Sequence, residues 1–167
     1  MNLNVIFETR VGAAGLIFKE NPFALVRVIL PRPDRQTLLR QADKALWGKA
    51  GRHKNADMMI LRLQDYFNGK PIEIPWEWTP LSDLTDLEQK VLLKTAEIPY
   101  GKTHSYKELA EAAGRPKACR FVGNVMAKNP FPVLIPCHRV IKSDGSIGHY
   151  GGGPRLKRAM LEMEGAF

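Results

Sequence analysis

The sequence SYKELAEAAGRPKACRFVGNVMAK, residues 105–128, decides the fold class of the second half of the chain. Ser105 and Glu108 have the spacing of a capping box, which predicts that a helix begins here. Gly114 stands where a helix commonly ends, and Pro116 suits the first turn of a second helix. The pattern therefore predicts two helices joined by a tight turn, which is the arrangement of a helix-turn-helix.

The second of these helices, predicted over about 116 to 127, has two different faces. Lys117 and Arg120 belong to a basic, exposed face, while Cys119 and Gly123 are small residues that would let the backbone approach a DNA groove. A solvated helical hairpin would show the same two faces, so the pattern alone leaves DNA binding open. The apolar residues at helical spacing should be buried: Ala118, Phe121, Val122, Val125 and Met126.

The chain is predicted to form two domains, an α/β domain over residues 1–80 and a DNA-binding domain over residues 84–167. In the first domain, apolar runs and helical periodicity predict the elements. The predicted strands are 4–7, 16–18 and 24–30, with a last strand in 71–80, and the predicted helices are about 34–47 and 55–67. Thr85 and Glu88 form a second potential capping box, which predicts a helix to about residue 97.

Composition is that of an ordinary globular protein, with 44% hydrophobic and 25% charged residues in 167. No apolar run approaches the ~20 residues that span a bilayer, and the first residues lack the pattern of a signal peptide. The two cysteines, without a CxxC motif, exclude a disulfide scaffold and a cysteine-rich zinc site. A reducing, cytoplasmic location is expected.

The net charge of +8 is concentrated in one segment of the chain. Nine basic residues lie between Arg115 and Arg158, where Asp144 is the only acidic residue, so that the rest of the chain is neutral overall. This distribution predicts a surface that faces phosphates.

The stretch VLIPCHRVI, residues 133–141, carries the candidate nucleophile. The apolar run ends at Pro136, so Cys137 should lie on a rigid bend. A lone cysteine is usually buried and inert, but the histidine and arginine that follow would lower the pKa of a thiol. We therefore interpret Cys137 as reactive and Cys119 as a packing residue.

Two features follow this cysteine. Residues 143–145 read SDG between apolar residues, which predicts the turn of a hairpin. Pro154 predicts the start of a last helix with an apolar face. Glu164 at its end is ordinarily a solvated acid and gains a role only if it folds back onto His138.

Together these motifs resemble the active-site domain of the O6-alkylguanine-DNA alkyltransferases, also called methylated-DNA–protein-cysteine methyltransferases. The motif PCHRV at 136–140 is similar to the active-site signature of that family. The resemblance covers about residues 85 to 165, and the first domain is assigned by position. Further family-like blocks occur in order: IPYGKTHSY at 98–106, GRPKA at 114–118, RFVGN at 120–124, KNP at 128–130, GHYGGG at 148–153 and MEG at 163–165.

The resemblance implies a fold and an activity. The fold is a ribonuclease H-like small sheet with helices, followed by a mainly α domain of the winged helix-turn-helix type. The activity is DNA repair, in which an O6-alkylguanine, with O4-alkylthymine as a further candidate, is flipped out through the minor groove. Its alkyl group passes once to Cys137 and leaves an S-alkylcysteine.

The resemblance also implies the surroundings of the reaction. The expected partner is double-stranded DNA containing the lesion, and the protein is expected to be a cytoplasmic monomer, associated with the nucleoid if prokaryotic. No cofactor, metal or membrane is expected. The zinc site that some relatives have in the first domain should be absent, since residues 1–80 hold no cysteine and only His53 among histidines. The alternative is an alkyltransferase-like protein that binds damage without repairing it, although such relatives replace the cysteine.

The catalytic roles carry over residue by residue. Cys137 resembles the alkyl acceptor and His138 the base that deprotonates it through a water. Glu164 resembles the acid that orients His138, in the manner of a catalytic triad. Tyr106 resembles the proton donor to the leaving guanine, and Asn129 the residue that holds the bend of Cys137.

The binding roles carry over in the same way. Arg120 resembles the finger that fills the space of the flipped nucleotide. Other DNA-binding positions are Tyr106, Lys107, Arg115, Lys117 and Ser143. The positions around the base pocket are Pro132, Val140, Gly148, Tyr150 and Gly151.

Overall fold

The computed structural model describes residues 1–167 as two compact units, Met1–Pro80 and Leu81–Phe167. Together they contain six strands and six α-helices, so the fold is mixed α/β. None of the helices combines the length and apolar composition that a membrane span requires.

The first unit is built on a four-stranded sheet with the order β3-β2-β1-β4. Its first three strands are antiparallel neighbours, whereas β4 is parallel to β1. The elements are β1 (Leu3–Thr9), β2 (Gly12–Glu20), β3 (Phe23–Arg32), α1 (Arg35–Gln41), β4 (Lys49–Ala50) and α2 (Lys54–Phe67).

The core of this unit forms where α2 faces the apolar strands. β2 is buried continuously from Ala13 to Phe18, which is typical of a central strand covered on both faces. α2 contributes Met59, Leu63 and Tyr66, which recur at helical spacing and are at most 1% exposed. The predicted helix over 55–67 is therefore confirmed to within one residue.

Two predictions for this unit are wrong. The helix predicted over 34–47 ends at Gln41, because the side chain of Asp43 accepts the backbone N–H of Ala45 and competes with helical hydrogen bonding. Residues 71–80 form no strand, since three prolines remove backbone donors, and the segment contains only a 3-10 turn at Trp76–Trp78. The fourth strand is instead the short Lys49–Ala50.

The second unit is mainly helical. Its two short strands, β5 and β6, pair in parallel. The elements are α3 (Asp86–Ala96), β5 (His104–Ser105), α4 (Tyr106–Ala112), α5 (Cys119–Lys128), β6 (Val140–Ile141) and α6 (Pro154–Met163).

The predicted pair of helices is present as α4 and α5. Both predicted capping boxes form, at the starts of α3 and α4. α4 ends in a Schellman motif, in which Gly114 N donates to Glu111 O (2.9 Å) and Arg115 N donates to Ala110 O (2.8 Å). Gly114 has a φ of +76°, a conformation that favours glycine.

The start of α5 differs from the prediction. The helix begins at Cys119 and not at Pro116, because Ala118 N donates to Arg115 O (2.8 Å) and completes the turn between the helices. Val122 and two further predicted core residues are buried, while Ala118 and Phe121 are only half-buried.

The predicted hairpin at residues 143–145 forms its turn but not its second strand. Lys142 N donates to Ser146 O (2.9 Å) across the turn. No strand follows, because the backbone bends at Gly148, which has a φ of +78°. β6 pairs instead with β5.

Candidate active site

The loop that carries Cys137 is held by the side chain of one residue, Asn129. Its Nδ2 donates to Ile135 O (2.9 Å), and its Oδ1 accepts from Phe131 N (3.0 Å). Pro136 follows, and Cys137 opens a 3-10 turn with its backbone N–H donating to Ile135 O (2.8 Å). The amide of Asn129 therefore satisfies the polar backbone of a buried bend, as its predicted role requires.

The same loop contains an unusual backbone conformation. Val133 has a φ of +75° and is the only residue other than glycine with a positive φ. A β-branched side chain is strained there, so the surrounding packing must hold it in place. Val133 is 3% exposed, which shows how tightly the loop is enclosed.

His138 and Arg139 share one buried carboxylate, that of Glu164. His138 Nε2 lies 2.7 Å from Glu164 Oε1. Arg139 donates from Nε to Oε2 (2.8 Å) and from Nη2 to Oε1 (3.0 Å), which is a bidentate pair. The side chains of His138 and Glu164 are fully buried, so Glu164 does fold back onto His138.

The segment Ile98–Gly101 closes this network from the other side. Arg139 Nη1 donates to Ile98 O (2.7 Å), and its guanidinium lies 5.5 Å from the ring centre of Tyr100. Gly101 N donates to Glu164 Oε2 (3.1 Å). Gly101 has a φ of +75°, and a Cβ at this position would lie 2.8 Å from Glu164 O, so only glycine fits.

The pKa shifts assign a charge state to each group. Burial lowers the pKa of His138, although the hydrogen bond and charge of Glu164 oppose this, so the imidazole is neutral at pH 7. A neutral ring that donates from Nε2 to Glu164 carries the lone pair on Nδ1, where it can accept a proton. Burial raises the pKa of the Cys137 thiol, opposed by a hydrogen bond from Asn129 and by the charge of Lys157. The prediction that the side chains of His138 and Arg139 lower this pKa is therefore wrong, because burial outweighs the groups that lower it, and the thiol needs a base to ionise at neutral pH.

Lys157 lies beside the thiol, and the sequence reasoning did not identify it. It is fully buried, its Nζ donates to Val140 O, and it lies 5.8 Å from the ring centres of both Tyr106 and Tyr150. Burial lowers its pKa to about 8, opposed by Cys137. The available signal was spacing, since Lys157 is three residues before Met160 and belongs to the buried face of α6.

A cavity of about 660 Å³ lies in front of the thiol. Cys137, Tyr106 and Arg120 line it, together with Tyr150 and Gly151. Burial raises the pKa of Tyr106, with a smaller contribution from Cys137, so its hydroxyl remains protonated and able to donate. The cavity therefore combines a thiol, a proton donor and a cation.

The pocket predictions divide into two groups. Tyr150 and Gly151 line the cavity, whereas Pro132, Val140 and Gly148 are not among its lining residues. Val140 instead accepts the Lys157 hydrogen bond. A Cβ on Gly148 would lie 3.2 Å from the Tyr106 hydroxyl. The cavity-lining residues that the prediction lacked are Cys119, Gly123, Asn124, Met126, Ala127, Lys142 and His149.

Cys119, which the sequence analysis interprets as a packing residue, lies at the edge of the thiol cavity. Cys119 is half-buried and lines the same cavity as Cys137. It lies directly before Arg120 at the start of α5. The sequence placed it on the second helix, but its proximity to the thiol cavity depends on how α5 packs.

The predicted DNA-contacting side chains, Tyr106 apart, are all exposed. Among them, Arg120 lines the thiol cavity. Exposed basic side chains suit a polyanionic ligand. The remaining exposed positions are Lys107, Arg115, Lys117 and Ser143.

Comparisons with known proteins agree with this geometry. Residues 86–166 match the family model described as 6-O-methylguanine DNA methyltransferase, DNA binding domain. The fold is similar to the crystal structure of Mycobacterium tuberculosis OGT in complex with DNA, with a TM-score of 0.79 and 32% identity. That similarity covers 98% of this chain and 93% of the other.

Curated relatives are similar over part of the chain. The methylated-DNA–protein-cysteine methyltransferase of Mus musculus is 49% identical over 88 residues, which are 52% of this chain and 42% of that protein. The protein of the same name from Methanosarcina barkeri is 41% identical over 103 residues, or 62% of this chain and 64% of that protein. The matches thus span less than two thirds of these relatives.

Proposed function

Because the chain belongs to the O6-methylguanine-DNA methyltransferase family, we propose that it repairs DNA by alkyl transfer to Cys137. The substrate is O6-alkylguanine in double-stranded DNA, with O4-alkylthymine as a further candidate. One observation carries the proposal: a buried thiol opens onto a base-sized cavity beside a neutral histidine held by a buried carboxylate.

The proton of the thiol moves first. His138 accepts it through a water molecule, and Glu164 stabilises the imidazolium that forms. The positive charge of Lys157 favours the thiolate, since it opposes the rise of the Cys137 pKa. A buried thiol with a raised pKa becomes a nucleophile only when a base is in place.

The thiolate then displaces the guanine from the alkyl carbon. The carbon–oxygen bond breaks, the sulfur–carbon bond forms, and Tyr106 donates a proton to the leaving guanine. The proton balance closes when Tyr106 is reprotonated from His138 through solvent, so the net proton passes from thiol to guanine. A thioether is not reversed by ordinary thiol chemistry, so each molecule acts once.

DNA binding is assigned to the second unit. We take α4 and α5 as a winged helix-turn-helix that enters the minor groove, with Arg120 filling the space of the flipped nucleotide. The tight turn at Gly114 and the exposed Arg120 at the cavity support this assignment. Flipping is required because the reacting atom is inaccessible inside the base stack.

The first unit and the cellular setting complete the proposal. Residues 1–80 are taken as a ribonuclease H-like domain, supported by a sheet with three antiparallel strands and a fourth that is parallel to β1. Residues 84–167 are taken as the DNA-binding and active-site domain. A free thiol is needed for transfer, so the proposal includes a reducing, cytoplasmic compartment. It also includes a monomeric protein, as the resemblance to the family implies.

The test is the mass of the intact protein after it is mixed with a duplex that carries one O6-methylguanine. We expect one methyl group per protein, mapped to the peptide with Cys137. C137A should gain no mass while it retains DNA binding, and C119A, the matched control, should gain mass like the wild type. Tight binding without mass gain by the wild type would favour the damage-binding alternative.

A further inference from the structure

A second cleft lies next to the thiol cavity and has no role in the proposed reaction. It has a volume of about 500 Å³ and is lined by Lys142, by residues 145–148, by the first turns of α6 and by Phe167. Its charged lining residues are Lys142, Arg155 and Arg158. No carboxylate side chain lines it, so the cleft is suited to an anion.

The cations of this cleft are weakly neutralised. Lys142 and Arg155 have no carboxylate within ion-pair distance. Arg158 Nη1 lies 3.7 Å from Glu162 Oε1, but both side chains are more than half exposed. Such a pair is screened by water and contributes little, so Arg158 can exchange it for a phosphate.

The nearest acidic side chain of the loop is engaged within its own turn. The Asp144 carboxylate accepts from Ser146 N (2.9 Å) and from Ser146 Oγ (2.7 Å). These hydrogen bonds, with a smaller contribution from the charge of Lys142, lower the pKa of Asp144. The carboxylate therefore supports the loop and is not a lining group of the cleft.

The position of the cleft indicates which anion it takes. Lys142 lines both this cleft and the thiol cavity. Gly148, which lines the cleft, lies close to Tyr106 of the thiol cavity: an added Cβ would lie 3.2 Å from the Tyr106 hydroxyl and 3.6 Å from Lys142 Cγ. A nucleotide in the thiol cavity remains attached to its strand by two phosphates, and Lys142 offers a cation between the cavity and the cleft to the strand that continues from it.

We propose that the cleft holds backbone phosphates of the DNA strand that carries the damaged nucleotide. Lys142 would meet the strand as it leaves the thiol cavity, and Arg155 and Arg158 would bind the phosphates that follow. This inference rests on the proposed function, and it assigns to α6 a second contact surface separate from α5.

The test compares the double variant R155Q/R158Q with the matched control K44Q/K49Q. The control removes the same charge from two exposed lysines of the first unit. Affinity for a duplex with one O6-methylguanine is measured from about 50 to 200 mM salt, where each lost phosphate contact reduces the slope of log K against log salt by about 0.9. We expect R155Q/R158Q to reduce this slope by about 1 to 2 and the control to leave it unchanged.

Two further measurements keep the outcomes distinct. Alkyl transfer from free O6-benzylguanine needs no phosphate contact, so R155Q/R158Q should react at the wild-type rate. If the wild type itself transfers no alkyl group, the proposed function fails, while the salt slopes still test the cleft. Equal slopes for the double variant and the wild type would overturn the inference. The second measurement is the effect of millimolar inorganic phosphate on the stability of both proteins. If phosphate stabilises the wild type but not the double variant, and the salt slopes are equal, the cleft binds free anions and the inference is also overturned.

Discussion

At the residue scale, the reactivity proposed for Cys137 depends on buried polar groups that hydrogen-bond to one another. Glu164 is enclosed with His138 and Arg139, and its two oxygens receive hydrogen bonds from both and from Gly101. A buried carboxylate is tolerated only when its lone pairs are satisfied in this way. The network therefore orients His138 and keeps its neutral form in the tautomer that can accept a proton.

Replacement of Glu164 tests this orientation. We expect E164Q to slow alkyl transfer by about 10²- to 10⁴-fold, because His138 loses both its orienting partner and the charge that raises its pKa. Single-turnover rates with methylated duplex are the measurement. Duplex affinity should stay within about twofold of the wild type, since Glu164 is buried away from the basic surface. Urea unfolding must accompany the rates, and a loss of rate fully restored by stabilising conditions would contradict the positioning role.

Lys157 makes a prediction about pH. Its pKa of about 8 lies below the ordinary value of 10.5. Between these values the unfolded chain binds a proton that the folded protein does not, so folding stability rises with pH through this window. Below pH 8 the folded protein bears the cost of a buried charge.

The K157M variant removes this dependence. We measure the free energy of unfolding in urea for both proteins at both pH values. We expect the value for K157M minus the value for the wild type to be more positive at pH 7 than at pH 10. Cys137, Tyr106 and Tyr150 face Lys157, and all three remain in both proteins. A difference in stability that stays constant between pH 7 and pH 10 would show that folding does not lower the pKa of Lys157. K157M should also slow transfer, because the thiolate loses a nearby cation.

At the scale of elements, the turn between α4 and α5 determines where Arg120 is presented. The Schellman motif at Gly114 ends α4, and the delayed start of α5 at Cys119 places Arg120 in its first turn. An exposed arginine in the first turn of a helix, at the edge of a cavity, can reach into a groove while the buried face of the helix stays in the core.

Replacement of Arg120 separates flipping from chemistry. We expect R120A to slow transfer from duplex DNA by about 10- to 100-fold, because the vacated stack is left unfilled and unstacking costs a few kcal/mol. Transfer from free O6-benzylguanine should change by less than about threefold, since no base needs to be flipped. Rates with both substrates are the measurement, with K49A, at an exposed lysine of the first unit, as the control. Equal losses on the two substrates would point to a folding defect instead.

At the scale of the whole molecule, the excess positive charge and the candidate active site lie in the same unit. The segment between Arg115 and Arg158 carries the net charge of +8 of the entire chain and lies within Leu81–Phe167. That unit also contains Cys137, the base proposed for it, the thiol cavity and the second cleft. A localised positive surface can guide DNA to the reactive unit and makes binding strongly dependent on salt.

The sequence by itself determined the features that depend on neighbouring residues. The two capping boxes, the helix end at Gly114 and the rigid bend at Pro136 involve hydrogen bonds or steric limits within a few residues. Helical periodicity likewise identified the buried face of α2. Local competition explains the errors, since the Asp43 turn and the prolines of 71–80 override the periodic pattern.

Only the tertiary structure decided the features that join distant parts of the chain. Glu164 contacts His138 across 26 residues, and Arg139 contacts Ile98 across 41. The burial of Lys157 and the cavity position of Cys119 depend on how helices pack. Hydrogen-bond distances, burial and pKa shifts arise from that packing, so the sequence could point to Cys137 as the candidate nucleophile but could not show which buried groups surround it.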